Sequence, residues 1–398
     1  MRVHAAYRHL QNIELYSITP QKTPIHLRMS KKSSKFAPEL IKSPKEALRL
    51  RMKIIFTTQL PHEGFQLLSN TPGVQLIMPE QERLDIPSFI QSAHTDAEIV
   101  VATFDYTVSK ELIDNMPNLQ LIANFGVGYN NIDLDACRAR GIRVTNTPQP
   151  VIEPTAELAF ALMIDIARRV SEFDRKIREG ARRSASAGEN SQNNEPIRFG
   201  VMQNLSHSLY GKTLGIIGMG RIGLSLARRA LASGMKVIYH NRKPYRTGEA
   251  LQDAGATGQH QVPIVESTQY VDFQALLQDS DFVSLNLPYT PESHHIIGKP
   301  ELGMMKRSAY LINTARGAHI DEKALVEALQ SGIIAGAAMD VYEHEPEINP
   351  ELLTLNNVVL SPHTGTGTWE GRIAMCENVA ENILAFMNNE IDKMNIVL

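Results

Sequence analysis

Three polar side chains in the C-terminal half of the chain each follow a short apolar run: Arg316, Glu345 and His363. The planar guanidinium of an arginine can bind a carboxylate through two parallel hydrogen bonds. A carboxylate that binds one imidazole nitrogen orients the ring and favours its protonated form, which suits a general acid. Each residue alone could be an ordinary surface side chain. Together, at the ends of successive predicted strands, they predict a site that binds a carboxylate and donates a proton.

A second signal is the pattern Gly-x-Gly-x-x-Gly formed by Gly218, Gly220 and Gly223. It follows an apolar run and precedes a helical pattern that opens with Arg221 and Ile222, which is the context of a dinucleotide-binding turn. In such a turn the first glycine makes the bend, the second lets a pyrophosphate approach and the third packs helix against strand. The helix N-terminus attracts the phosphates. The alternative is a turn of small residues that only packs.

The tip of the following predicted strand bears on the choice of cofactor. An NAD site has Asp or Glu about 20 residues beyond the glycines, where the carboxylate binds the ribose hydroxyls. This chain instead has Asn241, Arg242 and Lys243 there. Two cations and an amide donor favour the 2′-phosphate of NADP(H), with NAD(H) as the second cofactor that the site could take. The alternative is a solvated basic turn.

Short strand-like runs alternate with helix-length segments from Met52 onward, which predicts an α/β fold with parallel sheets. Ligands of such sheets bind beyond the carboxyl ends of the strands. The predicted strands are 52–57, 75–78, 97–102, 119–124, 142–145, 213–217, 235–239, 282–287, 310–313, 335–339 and 358–360.

The middle of the chain contains a predicted domain crossing. Pro148, Pro150 and Pro154 precede an apolar segment, Glu157 to Val170, that reads as a helix. The polar segment from Arg182 to Pro196 lacks apolar anchors and is predicted to be a loop or insertion.

Composition limits the class of protein. The chain has 398 residues, 43% of them hydrophobic and 21% charged, with a formal net charge of −3. These values predict a soluble globular protein of the cytoplasm with no nucleic-acid or membrane partner. Cys137 and Cys376 are the only cysteines. They have no metal-ligand spacing, so we expect buried thiols and no metal site.

The first 51 residues form a basic extension that is poor in acidic residues and lacks clean periodicity. The favoured interpretation is a disordered tail, or a start assigned too early with Met52 as the working initiator. In both cases the first strand of the folded protein begins at Met52. A transit peptide is the alternative, although Pro20, Pro24, Pro38 and Pro44 interrupt any long amphipathic helix.

With these motifs in view, the chain resembles the D-isomer-specific 2-hydroxyacid dehydrogenase family, and most closely its glyoxylate/hydroxypyruvate reductases. The resemblance extends from about Met52 to the C-terminus. It rests on six ordered motifs, at 126–133, 155–157, 218–223, 313–317, 340–346 and 361–365.

The resemblance implies an enzyme that reduces a short 2-keto acid to the D-2-hydroxy acid. His363 would donate the proton, Glu345 would orient it, and Arg316 would hold the substrate carboxylate. The remaining substrate contacts would come from the backbone of Val127 and Gly128 and from pocket residues Thr103 and Phe104. The implied cofactor contacts, besides the glycine loop and the basic turn, are Thr155, Leu287, Pro288, Thr314, Asp340 and Gly365.

The same resemblance implies two Rossmann-like domains with doubly wound parallel sheets. The substrate domain would be discontinuous, formed by residues 52–150 and 364–398, and residues 151–363 would form the nucleotide domain. Family members are usually homodimers. A different class of function, a nucleotide-sensing protein similar to corepressors that share this fold, is the alternative.

Overall fold

The computed structural model describes residues 52–85, 88–89, 92, 94–186, 204–244 and 266–398, with side chains only up to residue 180 within 94–186. Within these residues the chain forms two sheets, one of five strands and one of seven. Each pair of neighbouring strands is parallel. The predicted basic extension of residues 1–51 lies outside the described residues.

The first sheet has the order β2-β1-β3-β4-β5. Strands β3 and β4 are buried along their whole length, as expected for central parallel strands that are covered on both faces. The strands are β1 (Met52–Phe56), β2 (Val74–Ile77), β3 (Ile99–Thr103), β4 (Leu121–Phe125) and β5 (Arg143–Thr145).

The second sheet has the order β12-β11-β10-β9-β6-β7-β8. The chain first builds outward from β6 through β7 to β8, and then returns to β9 and builds in the other direction. This reversal between β6 and β9 is the topological switch point at which doubly wound sheets bind ligands. The strands are β6 (Thr213–Ile217), β7 (Lys236–His240), β8 (Thr268–Tyr270), β9 (Phe282–Leu285), β10 (Tyr310–Asn313), β11 (Gly336–Met339) and β12 (Val358–Leu360).

Helices cover both faces of each sheet, and their apolar sides form four buried clusters. The helices are α1 (Gln66–Ser69), α2 (Lys110–Asp114), α3 (Leu134–Arg140), α4 (Ile152–Arg168), α5 (Val170–Ser186), α6 (Arg221–Ala232), α7 (Phe273–Asp279), α8 (Lys299–Met304), α9 (Glu322–Gln330) and α10 (Trp369–Met387).

The C-terminal helix α10 returns to the first sheet. Its residues Met375, Val379 and Ile383 are buried in the same cluster as Ile54 and Phe125 of β1 and β4. The side chain of Thr368 accepts the Gly371 N–H and so caps the start of this helix. The exact limits of the predicted domains, near residues 150 and 363, stay a prediction.

Helix α4 begins five residues before the predicted start at Glu157. Pro154 lies in its first turn, where a proline costs no intrahelical hydrogen bond. The helix ends at Arg168 because Arg169 adopts a left-handed conformation, with φ of 58°.

Helix α5 corrects the prediction of a loop from Arg182, since it continues to Ser186. Its exposed face has opposite charges one turn apart, such as Asp174 and Arg178 at 2.8 Å, which support a solvated helix. The remainder of the predicted loop, residues 187–196, lies outside the described residues.

The α/β fold with two parallel Rossmann-like sheets is confirmed, and each strand predicted from periodicity is present to within two residues at each end. Strand β8 was not predicted, because only three residues form it at the sheet edge and two of them are exposed. Both cysteine thiols are buried, and burial raises the pKa of Cys137 to about 11 and that of Cys376 to about 12. They are therefore unreactive thiols. Among the described residues, no helix combines the length and apolarity needed to cross a bilayer.

The side chain of His319 is buried without hydrogen-bond partners. His319, in the segment after β10, is 0% exposed, and neither of its ring nitrogens makes a hydrogen bond. Burial lowers the pKa of His319 to about 4, with the nearby Pro288 carbonyl opposing this shift and the Arg316 charge adding to it. The folded protein therefore holds this imidazole in its neutral form.

This shift makes stability sensitive to acid. Unfolded histidine takes up its proton near pH 6.5, whereas folded His319 does so only near pH 4. The contribution of neutral His319 to stability is therefore complete above pH 6.5 and is lost as the pH falls toward 4. At pH 5 the loss amounts to about 2 kcal/mol. We expect His319→Leu to gain about that much unfolding free energy, relative to wild type, between pH 8 and pH 5 in urea titrations.

The matched control is His62→Leu, since His62 is exposed. It should leave the pH dependence of stability unchanged. Equal pH dependence for His319→Leu and wild type would contradict the assignment of His319 as a neutral buried imidazole.

Candidate active site

A cavity of about 450 Å³ lies where the carboxyl ends of strands from both sheets meet. The first sheet contributes residues that follow β3, β4 and β5, and the second contributes residues that follow β9, β10, β11 and β12. The sequence-predicted residues that line it are Phe104, Val127, Gly128, Thr155, Arg221, Ile222, Leu287, Pro288, Thr314, Arg316, Asp340, His363 and Gly365.

His363 and Glu345 form a hydrogen-bonded pair at the cavity. His363 Nδ1 lies 2.7 Å from Glu345 Oε2, while Glu345 Oε1 accepts the Tyr342 N–H at 2.9 Å. With Nδ1 bound to the carboxylate, Nε2 is the nitrogen that remains for a ligand. Burial alone would raise the pKa of Glu345, but the hydrogen bond and charge of His363, with smaller contributions from Tyr342 and Arg316, hold it below its usual value. Glu345 is therefore an anion that fixes the imidazole.

The backbone of His363 is held in an unusual conformation by Asp340. His363 has φ of 53°, a left-handed value that is rare for residues other than glycine. The fully buried Asp340 carboxylate accepts hydrogen bonds from the Ser361 hydroxyl at 2.6 Å, the Thr364 N–H at 2.8 Å and the Gly365 N–H at 2.8 Å. These bonds fasten the turn that presents His363 to the end of the neighbouring strand.

Arg316 extends from the tip of β10 against Gly128. A methyl group built on Gly128 would overlap the Arg316 guanidinium, so the glycine allows the guanidinium to lie directly against the backbone of this loop. Nη1 donates to the Ala315 carbonyl at 2.6 Å, and among the described residues no carboxylate lies within 4 Å of the guanidinium. Burial lowers the pKa of Arg316, and the charge of Glu345 opposes that shift. The result is a partly buried cation whose outer nitrogens are available for an anionic ligand.

The segments that carry Arg316 and Glu345 are bound to each other. The Glu322 carboxylate accepts the Glu343 N–H at 2.7 Å, and the Glu343 carboxylate accepts the Glu322 N–H at 3.3 Å. His295 joins them, with Nε2 2.5 Å from Glu343 and its N–H donating to Ala318. These hydrogen bonds restrain the distance between Arg316 and the His363–Glu345 pair.

The glycine loop lies at the switch point of the second sheet. Gly218 has φ of +93°, and a side chain there would overlap the backbone of Asn286 and Leu287 at the end of β9. Gly223 packs against the Gly218 carbonyl, while a side chain on Gly220 would meet only open space. The space beyond Gly220, at the N-terminus of α6, suits a phosphate group.

The basic turn after β7 lies beside this loop. Asn241 Oδ1 accepts the Met219 N–H at 2.6 Å, so the Asn241 carboxamide directs its other end away from the loop. Arg242 and Lys243 are exposed. Glu292, which is fully exposed, has its pKa lowered by its own N–H and the Thr290 hydroxyl, with a smaller contribution from the Arg242 charge.

Two buried polar atoms in the cavity wall have no hydrogen-bond partner, Asn286 Oδ1 and Thr314 Oγ1. Such atoms are costly unless a ligand or water satisfies them. Together with the open loop at Gly220, they show that the residues present fit a dinucleotide. Asp340 Oδ2 accepts one hydrogen bond, from the Gly365 N–H, and so can accept a second one from a ligand in the cavity.

The structure does not bring every predicted residue to the cavity. Thr103 is 4% exposed, and its hydroxyl lies 2.8 Å from that of Thr58 and 3.2 Å from that of Thr57. It supports the first sheet instead of lining the cavity. Glu345 lies behind His363. Gly218, Gly220 and Gly223 and the basic turn at 241–243 also lie outside the cavity lining, although Arg221 and Ile222 of the same loop line it.

Several lining residues were not predicted. Asn286 follows β9 directly, so the same rule of polar strand tips that selected Arg316 could have found it. Tyr129 and Asn130 lie within the motif at 126–133, from which only Val127 and Gly128 were predicted as site residues. Asn146 belongs to none of the six motifs, and only the fold brings it to the cavity.

The model of the D-isomer specific 2-hydroxyacid dehydrogenase NAD binding domain matches residues 160–365. A glyoxylate reductase of Thermococcus litoralis is 42% identical over 342 residues, which cover 86% of this chain and 96% of that protein.

Solved structures show similarity to the same kind of enzyme. The crystal structure of a glyoxylate reductase from Paecilomyes thermophila has a TM-score of 0.69 and 32% identity, and the match covers 87% of this chain and 98% of that one. An NADPH-dependent glyoxylate/hydroxypyruvate reductase from Sinorhizobium meliloti, in complex with NADP and malonate, has a TM-score of 0.68 and 30% identity, over 85% and 94% of the two chains. The chain described here therefore belongs to the D-isomer specific 2-hydroxyacid dehydrogenase family.

Proposed function

We propose that this enzyme reduces short 2-keto acids, such as glyoxylate and hydroxypyruvate, to 2-hydroxy acids of the D series. The observation that carries the proposal is that Arg316 and the His363–Glu345 pair meet in one cavity beside the glycine loop. The names of the similar proteins from Thermococcus litoralis and Sinorhizobium meliloti support the same substrate class.

In this proposal each residue acts through the geometry described above. Arg316 binds the substrate carboxylate and polarises the keto group, and the backbone of Val127 and Gly128 borders the same end of the cavity. His363 donates a proton from Nε2 to the keto oxygen, while Glu345 keeps Nδ1 occupied and stabilises the ring when it is charged.

A reduced nicotinamide cofactor, when bound, supplies the hydride for the keto carbon. The residues that would hold it are those of the glycine loop and the N-terminus of α6, with Thr155, Leu287, Pro288, Thr314, Asp340 and Gly365 along the cavity. The unpartnered oxygens of Asn286 and Thr314 would add two acceptors.

The proton donor is the most direct test. His363→Ala should lower kcat for glyoxylate by about a hundredfold to ten-thousandfold, because general acid catalysis typically contributes that much. NADPH binding, measured by fluorescence titration, should stay near the wild-type value. The control His344→Ala changes an exposed histidine next to Glu345 and should retain activity. Full activity of His363→Ala would remove His363 from the mechanism.

We further propose a preference for NADPH over NADH. The exposed cations Arg242 and Lys243 suit a 2′-phosphate, and no carboxylate occupies the tip of β7 at residues 241–244. Asn241 binds the loop through its oxygen, so its amide nitrogen is free of that bond and can serve as a donor. Glu292 provides an opposing charge near Arg242, which limits the preference.

The double substitution Asn241→Asp with Arg242→Ala should shift the ratio of kcat/KM toward NADH. Aspartate can still accept the Met219 N–H with one oxygen while the other accepts from a ribose hydroxyl. Loss of the Arg242 contact should weaken NADPH binding by roughly tenfold to a hundredfold, as for a charge-assisted hydrogen bond. Lys236→Ala, an exposed change on the same strand, is the control. A wild-type enzyme that prefers NADH tenfold would contradict the proposal.

A homodimer is the third part of the proposal. Four apolar side chains are exposed around the junction of α4 and α5: Ile164, Val170, Ile177 and Leu205. Arg169 at this junction donates a hydrogen bond to the Leu205 carbonyl, which brings the Leu205 segment next to the helices. Exposed apolar patches of this kind mark interaction surfaces.

Val170→Glu with Ile177→Glu should therefore convert a dimer into a monomer in light-scattering measurements. A charge in an apolar interface is costly because it loses its hydration. Leu353→Glu, which changes a side chain exposed to a similar extent elsewhere, should leave the dimer intact. A wild-type monomer, or a dimer that survives both glutamates, would refute this interface.

A further inference from the structure

A cation without a carboxylate partner lies behind the wall of the cavity. Arg372, on helix α10, has its Cζ 5.8 Å from the centre of the Phe104 ring and 5.7 Å from that of Phe125. Among the described residues, no carboxylate lies within 4 Å of its guanidinium. Asp105, the acid that influences it most, is itself bound by Arg83 at 2.9 Å. Burial lowers the pKa of Arg372, and Asp105 opposes this shift. The phenyl rings are thus its principal partners.

Phe104 connects this cation to the proposed proton donor. Both Phe104 and His363 line the cavity, and their rings lie 4.4 Å apart between centres at 37°. Arg372 itself does not line the cavity. Arg372 therefore has no direct contact with a ligand in the cavity, and the Phe104 ring connects it to His363.

We propose that Arg372 is a positioning residue: it holds the Phe104 ring against His363, and so fixes the proton donor and limits the substrate end of the cavity to short 2-keto acids. This inference rests on the proposed function for its catalytic readout.

The physical basis is the attraction between a cation and an aromatic ring, which is strongest when the cation is partly removed from water. Two rings hold Arg372, and the cation in turn restrains Phe104. Without the charge, the Phe104 side chain gains access to other rotamers. The His363 ring then loses its contact with Phe104, while the Glu345 hydrogen bond and the backbone turn at Asp340 remain. A larger substrate side chain can enter the space that Phe104 leaves.

The experiment compares Arg372→Met, which removes the charge but keeps an unbranched side chain, with Arg372→Lys, which keeps the charge. The matched control is Arg143→Met, because Arg143 lies 5.8 Å from the Phe386 ring outside the cavity. Steady-state kinetics use glyoxylate and the bulkier 4-methyl-2-oxopentanoate as substrates.

We expect Arg372→Met to lower kcat for glyoxylate by about tenfold, the loss of one desolvated cation–π contact. KM for glyoxylate should stay within about threefold, because Arg316 is untouched. The ratio of kcat/KM for glyoxylate to that for the bulkier acid should also fall by about tenfold. Arg372→Lys should restore most of both values, and Arg143→Met should match wild type.

A second readout does not require activity. In ¹⁵N-histidine NMR spectra, the ring signals of His363, assigned by comparison with His363→Ala, should move in Arg372→Met and stay in place in Arg143→Met, because the Phe104 ring current changes. If Arg372→Met leaves the His363 signals and the substrate ratio unchanged, or if Arg372→Lys is as impaired as Arg372→Met, the positioning role is wrong. If wild type reduces neither keto acid, the proposed function fails, while the NMR comparison still decides the positioning of His363.

Discussion

The position of His363 depends on hydrogen bonds between the buried carboxylate of Asp340 and the residues around this histidine. It accepts hydrogen bonds from Ser361, Thr364 and Gly365, and these three residues surround a histidine with a left-handed backbone. A residue held in such a conformation costs on the order of 1–3 kcal/mol. The three hydrogen bonds to Asp340 hold the residues on either side of His363 and connect the turn after β12 to the tip of β11.

Similar hydrogen bonds occur elsewhere around the cavity. In each case a side chain that follows one strand binds the backbone of a segment that follows another strand. Glu322 and Glu343 exchange backbone hydrogen bonds between the segments after β10 and β11. Asn241 accepts from Met219 and so fastens the glycine loop to the tip of β7. Because each bond joins residues from different strands, the relative placement of Arg316, Glu345 and His363 depends on the register of the whole second sheet.

The shape of the cavity also depends on two glycines, Gly128 and Gly218, against which other groups pack closely. Gly128 admits the Arg316 guanidinium, and Gly218 admits the backbone that follows β9. In both places a loop from one strand meets a group from another strand at van der Waals distance. The first sheet thus contributes to the site mainly through backbone and apolar groups, whereas the second contributes the charges.

The sequence was sufficient for the secondary structure of the central strands, because apolar runs such as Phe282–Leu285 and Tyr310–Asn313 are buried along their whole length and carry a strong signal. It was insufficient where the signal is weak or mixed. Strand β8 is short and largely exposed, and α5 is rich in charged residues, including the exposed pair Asp174 and Arg178.

The residue types that could do the chemistry are evident from the sequence alone: the glycine pattern, Arg316, Glu345 and His363, and a basic turn in place of an acid. Their order along the chain reflects local propensity and motif spacing, which are properties of short segments. Tertiary packing was needed to establish that Thr103 faces Thr57 and Thr58, that Asp340 holds the His363 turn, and that Arg372 lies behind Phe104. These contacts join residues that are far apart in the sequence. The packing of strands and helices creates them, so no local sequence pattern predicts them.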